Sequence, residues 1–152
     1  MKIIIIDGNN LIGKSNLLRE IQRKNKQIVR EKLVLLLESF FQTKKNKVFL
    51  YFDGYENLPI KTNLFKIIYS DNYSADDKIR QQIENTKNTK NIILITSDRS
   101  LQNFARACSC DVISSENFLT EMNTTNEIDE EKAKTESMKN NIDEFKKLFN
   151  VK

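Results

Sequence analysis

The sequence predicts an α/β protein, with helices on both faces of a mostly parallel central sheet in three layers. Three observations predict it. Apolar, β-branched runs of strand length recur along the 152 residues, segments with helical spacing separate them, and three of the runs stop at an aspartate. A chain of this length supports one domain with a substantial core, and so one principal site or binding face.

The run "KIIII" (2–6) is closed by Asp7-Gly8 and reads as a buried parallel strand. "QIVREKLVLLLESFFQ" (27–42) sets Ile28, Leu33, Leu36, Leu37, Phe40 and Phe41 at helical spacing. "KVFLYFDG" (47–54) predicts a second strand ending at Asp53-Gly54, and "LFKIIYS" (64–70) a third. In "SADDKIRQQIENT" (74–86), Ser74 suits an N-cap with Asp77 three residues on, so a helix should begin near Ala75. "NIILITSD" (91–98) predicts a fourth strand, again stopping at aspartate. A helix over "RSLQNFARAC", a short strand "DVIS" (111–114) and a short helix "SENFLTEM" (115–122) follow. These elements make a domain over residues 1–122, and 123–152 is expected to hold a linker (123–127) and a C-terminal amphipathic helix. In that last segment Met138, Ile142, Phe145 and Phe149 share one helical face, suited to packing back on the domain or to docking a partner.

Composition narrows the function. No apolar run approaches the roughly 20 residues that span a bilayer, and "MKIIII" is too short for a signal-peptide core, so a cytoplasmic protein without a membrane partner is expected. Cys108 and Cys110 are one residue apart, a spacing that suits neither an easy disulfide nor a zinc site lacking other ligands, and they read as free thiols. The chain has no histidine, which excludes Ser-His and Cys-His dyads, imidazole acid-base cleavage of RNA and His-ligated metals. Net charge is +4 but uneven: residues 14–47 hold ten basic side chains against three acids, a surplus that suits a polyanion or a solvated helix face.

Residues 8–15, "GNNLIGKS", satisfy the phosphate-loop pattern G-x-x-x-x-G-K-[ST]. Such a loop needs small, flexible residues whose backbone N–H groups converge on phosphate. Leu11 and the stiff Ile12 serve that poorly, and Asp7 would set a carboxylate beside the phosphates. A nucleotide-binding protein using Gly8 to Ser15 is therefore the minor alternative, and an accidental match the expectation.

The acids are better organised. Asp7, Asp53 and Asp98 close expected strands, while Asp76 and Asp77 open a helix. In an open parallel sheet the carboxyl ends of the strands share one edge, where ligands bind. Carboxylates brought together there repel each other unless a cation intervenes. An all-oxygen donor set suits Mg²⁺ or Mn²⁺, and metal-assisted phosphodiester hydrolysis is the chemistry this inventory best supports. Each acid also has a purely structural reading: Asp53-Gly54 as a tight turn, Asp77 as half of a capping box, Ser97 or Asp98 as a helix N-cap.

Taken in order, "IIDGNNLI" (5–12), "VREKLVLLL" (29–37), "FLYFDG" (49–54), "SADDKI" (74–79), "ILITSD" (93–98) and "ISSENF" (113–118) resemble the NYN-domain branch of the PIN-like nucleases, specifically the YacP-like bacterial ribonucleases. The resemblance covers about residues 1–120. It implies a PIN-like fold and a Mg²⁺- or Mn²⁺-dependent endoribonuclease acting on single-stranded RNA, with messenger RNA on the ribosome as a setting and no small-molecule cofactor. It implies Asp7, Asp76 and Asp98 as catalytic metal-site acids, Asp77 as a further catalytic acid and Asp53 as a peripheral one. Asn9 would shape the site, and Ser97 and Arg99 flank its last acid. Lys14, Arg19, Arg23, Lys24, Lys26 and Arg30 are the candidate RNA-backbone contacts. Asn10 and the lysine- and asparagine-rich stretch from Gly13 to Lys26 depart from the family pattern and point to altered substrate selection. The competing class is an RNA- or ribosome-binding module without catalysis.

Overall fold

The computed structural model describes residues 1–127; the C-terminal helix expected around Met138 to Phe149 lies outside them. Five parallel strands form the middle layer: β1 (Lys2–Asp7), β2 (Asn46–Phe52), β3 (Phe65–Tyr69), β4 (Ile92–Ile95) and β5 (Asp111–Ile113). Their order is β3-β2-β1-β4-β5. The chain builds outward from β1 to β3 and then returns to the other side of β1, so strand order reverses between β1 and β4. In open α/β sheets that is where ligands bind, outside the carboxyl ends of the strands.

Alternation along the strands sorts the core into two faces. Ile4 and Ile6 join Leu50, Phe52, Ile93 and Ile95 beneath α1 (Gly8–Gly13), α2 (Asn16–Lys24), α3 (Lys26–Phe41) and α6 (Ser115–Glu127), which supply Leu11, Leu18, Leu33, Leu37 and Phe118. Ile5, Tyr51 and Leu94 face the opposite layer of α4 (Ala75–Glu84) and α5 (Arg99–Ala107), through Ile79, Ile83, Leu101 and Ala105. The three-layer α/β/α architecture is thus present, with β1 buried on both faces.

Three details differ from the sequence expectation. Residues 8–24 form two helices where no element was expected. Asn9 and Asn10 are weak helix formers, and α2 buries fully only Leu18, so apolar periodicity is faint there. In keeping with an accidental phosphate-loop match, α1 makes "GNNLIG" helical and buries Leu11 and Ile12. β4 ends at Ile95, three residues before Asp98. Finally, α6 continues to Glu127, through the stretch expected as a linker.

Candidate functional site

Parallel register builds the site. Ile6 pairs with Leu50 on one side and Ile95 on the other, so Asp7 and Thr96 are the next residues outward on the two strands flanking the reversal. Thr96 Oγ1 donates to Asp7 Oδ2 at 3.0 Å, and the same oxygen accepts the Asp98 backbone N–H at 3.1 Å. Asp7 is only 8% exposed. Burial pushes its carboxyl up to about 6; the Thr96 hydroxyl and the Asn10 backbone pull it down, and the nearby charges of Asp53 and Asp98 raise it further. No lysine or arginine among the described residues forms an ion pair with Asp7.

The glycine after Asp7 is required by close approach. A Cβ on Gly8 would stand 2.6 Å from the Tyr51 carbonyl oxygen and 3.0 Å from the Phe52 ring. α1 can therefore start directly from β1 against β2. Its two asparagines then tie the neighbouring loops. Asn9 Oδ1 accepts from the Asp53 N–H at 2.9 Å, while Asn10 Oδ1 accepts from the Ser97 N–H at 2.9 Å and the Ser115 hydroxyl at 2.7 Å. Asn9 thus ties one loop, and Asn10, singled out only as a departure, ties two.

Asp98 takes the structural reading given for it, and Asp53 takes a different one, without either carboxylate being consumed. Asp53 Oδ1 accepts from the Ala75 N–H at 2.8 Å at the start of α4, and Asp98 Oδ1 accepts from the Leu101 N–H at 2.9 Å as the N-cap of α5. Each bond uses one carboxylate oxygen. Ser74 caps α4 through the Asp77 N–H at 3.0 Å, which leaves the Asp77 carboxylate exposed. Asp76, on the first turn of α4, pairs with Arg80 Nε at 2.5 Å. Asp98 thus lies near Asp7 on one side and, with Asp76 and Asp77, near Arg80 on the other. Arg80 was not anticipated as a site residue.

The opposite rim is formed by α6. Ser97 Oγ accepts from the Ser115 N–H at 2.9 Å and bonds Glu116, whose carboxyl this hydroxyl holds below its usual range, helped by Lys14 at 3.8 Å. Lys14 is thereby tied to the rim. Arg19, Arg23, Lys24, Lys26 and Arg99 are exposed, with Arg23 paired to Glu20 at 2.8 Å. Arg30 is not a surface phosphate contact. It is 4% exposed, donates to the Asp53 and Tyr55 carbonyls at 2.8 and 3.0 Å, and lies against the Phe52 and Tyr69 rings. Its charge organises the loop that carries Asp53.

The residues suit a hard divalent cation in kind: every donor is oxygen, and the buried Asp7 carboxyl has acids rather than bases for neighbours. Among the described residues, however, no three acids stand close enough together to hold one ion. Asp76 is the member held elsewhere, on Arg80.

The family profile for the YacP-like NYN domain matches residues 4–150. Among solved structures, Rae1 (YacP) from Bacillus subtilis is similar with a TM-score of 0.71 at 19% identity, over 97% of this chain and 83% of that one. A mutant of the same protein gives a TM-score of 0.67 at 22% identity, over 93% and 92% of the two chains. At these identities the structural likeness speaks for the fold. No curated protein sequence matches significantly.

Proposed function

The chain belongs to the YacP-like NYN family, a nuclease-type domain, and from that premise we propose that it is a metal-dependent endoribonuclease acting on single-stranded RNA. The observation that carries this reading is Asp7, a carboxyl buried where strand order reverses, facing Asp53 and Asp98 and ion-paired with no base among the described residues. Burial beside like charges opposes folding despite the bonds from Thr96 and Asn10, whereas it suits a site that gains a cation.

Asp7 and Asp98 would hold the ion, with Asp76 as the third acid once released from Arg80 and Asp53 at the periphery. Mg²⁺ or Mn²⁺ held there would supply an activated water and offset charge growing on the scissile phosphate. Thr96 Oγ1 fixes the orientation of the Asp7 carboxylate and the entry of α5 at Asp98. Asn10 and Ser97 hold the α6 rim against the same loops. Asp77, exposed on the first turn of α4, would exchange the proton with solvent. The exposed bases Lys14, Arg19, Arg23, Lys24 and Lys26 would carry the RNA backbone, because an acidic cleft alone repels it.

Messenger RNA on the ribosome is the proposed physiological substrate, on the strength of the sequence resemblance. The Asp76–Arg80 pair is the one observation that favours a non-cleaving RNA-binding module instead. Labelled single-stranded RNA, duplex RNA and a translated message should separate these readings. Cutting of the single strand that EDTA abolishes, and that translation enhances, supports the nuclease. Binding of all three without cutting would replace it with the binding module.

A further inference from the structure

We propose that Arg80 is a positioning residue: an internal cation that holds Asp76 on the α4–α5 side of the cleft and competes with a divalent ion for it. The inference rests on the metal-dependent reading above. An exposed i,i+4 ion pair on a helix is usually worth little, but Arg80 is fixed from three directions. Its Nε donates to Asp76 Oδ1 at 2.5 Å, its Nη2 donates to Ser100 Oγ at 3.0 Å, and its guanidinium lies over the Phe104 ring at 4.9 Å. Two of those partners belong to α5, so the side chain spans α4, whose first turn carries Asp76 and Asp77, and α5, whose N-cap is Asp98.

The consequence is competition. A guanidinium keeps its charge throughout the working pH range, so it occupies the acids wherever the protein functions. An ion that needs three carboxylates must detach Asp76 from Arg80; one that does not is left with Asp7 and Asp98. It agrees with the absence of a ready three-acid group among the described residues, although the donor types are correct. It also separates this cleft from a pre-formed metal cage: binding of the ion requires a side-chain exchange, and Arg80, once released, is within the cleft as a free cation able to meet the phosphate of a bound RNA. A single charge about 6 Å from a divalent ion in a water-like dielectric changes its affinity by about tenfold.

Titration of the full chain with Mn²⁺ by calorimetry tests this, alongside the Mn²⁺-dependent rise in melting temperature. Arg80→Gln should bind Mn²⁺ about tenfold more tightly than wild type and show the larger melting shift. Arg80→Lys, which keeps the charge, should stay close to wild type. Ser100→Ala loosens the guanidinium while leaving every charge in place; it should tighten binding by a smaller factor, and it decides the matter if Arg80→Gln does not fold. Equal or weaker binding by folded Arg80→Gln, with wild type binding Mn²⁺, overturns the role of Arg80 and leaves the nuclease reading standing. No Mn²⁺ binding by any of the chains overturns the metal-dependent reading, and this inference with it.

Discussion

At the scale of residues, Asp7 has a measurable cost. Its folded pKa of about 6 lies above the ordinary 3.8, so between those values the folded state binds more protons than the unfolded one. Stability therefore falls as pH rises through that window, by an amount on the order of 3 kcal/mol that is fully lost above it. Asp7→Asn should raise metal-free stability by about 1–3 kcal/mol near pH 7 and leave it almost unchanged near pH 4, as read by urea denaturation in EDTA. A loss of stability near pH 7 would show that the bonds from Thr96 and the Asn10 backbone outweigh burial and the acidic neighbours. Asn10→Ala strands the Ser97 N–H and the Ser115 hydroxyl, and should cost about 1–3 kcal/mol in the same denaturation. The aspartates were legible in the sequence because closing a strand with a carboxylate restricts the chemistry. Asn10 and Thr96 were not, since their importance lies in partners distant in sequence: Thr96 meets Asp7 across 89 positions and Asn10 meets Ser115 across 105. Arg80 was not, since its spacing from Asp76 reads as an ordinary i,i+4 helix pair and only the fold brings Ser100 and Phe104 of α5 to it. Arg30 was misread because its charge argues for the surface, while carbonyls and two aromatic rings in fact hold it inside.

At the scale of elements, the strands and long helices were legible because burial on both faces leaves unbroken apolar runs, as in Ile4 to Ile6, and an amphipathic helix repeats its apolar positions, as in α3. The boundaries of α4 and α5 followed from their caps, Ser74 and Asp98. α1 was hidden because it is one short turn and a half, stabilised by tertiary contact: Leu11 and Ile12 in the core and Gly8 against Tyr51. Gly8→Ala should therefore destabilise the protein by about 1–3 kcal/mol or more, since backbone rather than a flexible side chain blocks the new Cβ. Thermal unfolding measures it, and a neutral result would mean that α1 can move off β2 without loss. Arg30→Ala should unfold the protein at markedly lower urea, whereas RNA affinity per folded molecule should keep its salt dependence, because Arg30 serves the Asp53 loop rather than solvent.

At the scale of the whole molecule, two opposite charge distributions coexist: an acidic cleft at the carboxyl edge of the sheet and a basic surplus through residues 14–47. No helix among the described residues is long and apolar enough to cross a membrane. If the basic side carries RNA, affinity should fall steeply with salt. Replacing Arg19, Arg23, Lys24 and Lys26 together by alanine should flatten the logarithmic slope by about 3, given roughly 0.7 per phosphate contact on a single strand. An unchanged slope would move the RNA path elsewhere. The most direct test of the whole arrangement is the rate of single-turnover cleavage of end-labelled single-stranded RNA as Mn²⁺ is raised, in wild type and Asp7→Asn. Cleavage that saturates with Mn²⁺ and drops by at least about a hundredfold in Asp7→Asn is the expected result. Cleavage indifferent to EDTA, or undiminished in the variant, would contradict a metal site built on Asp7.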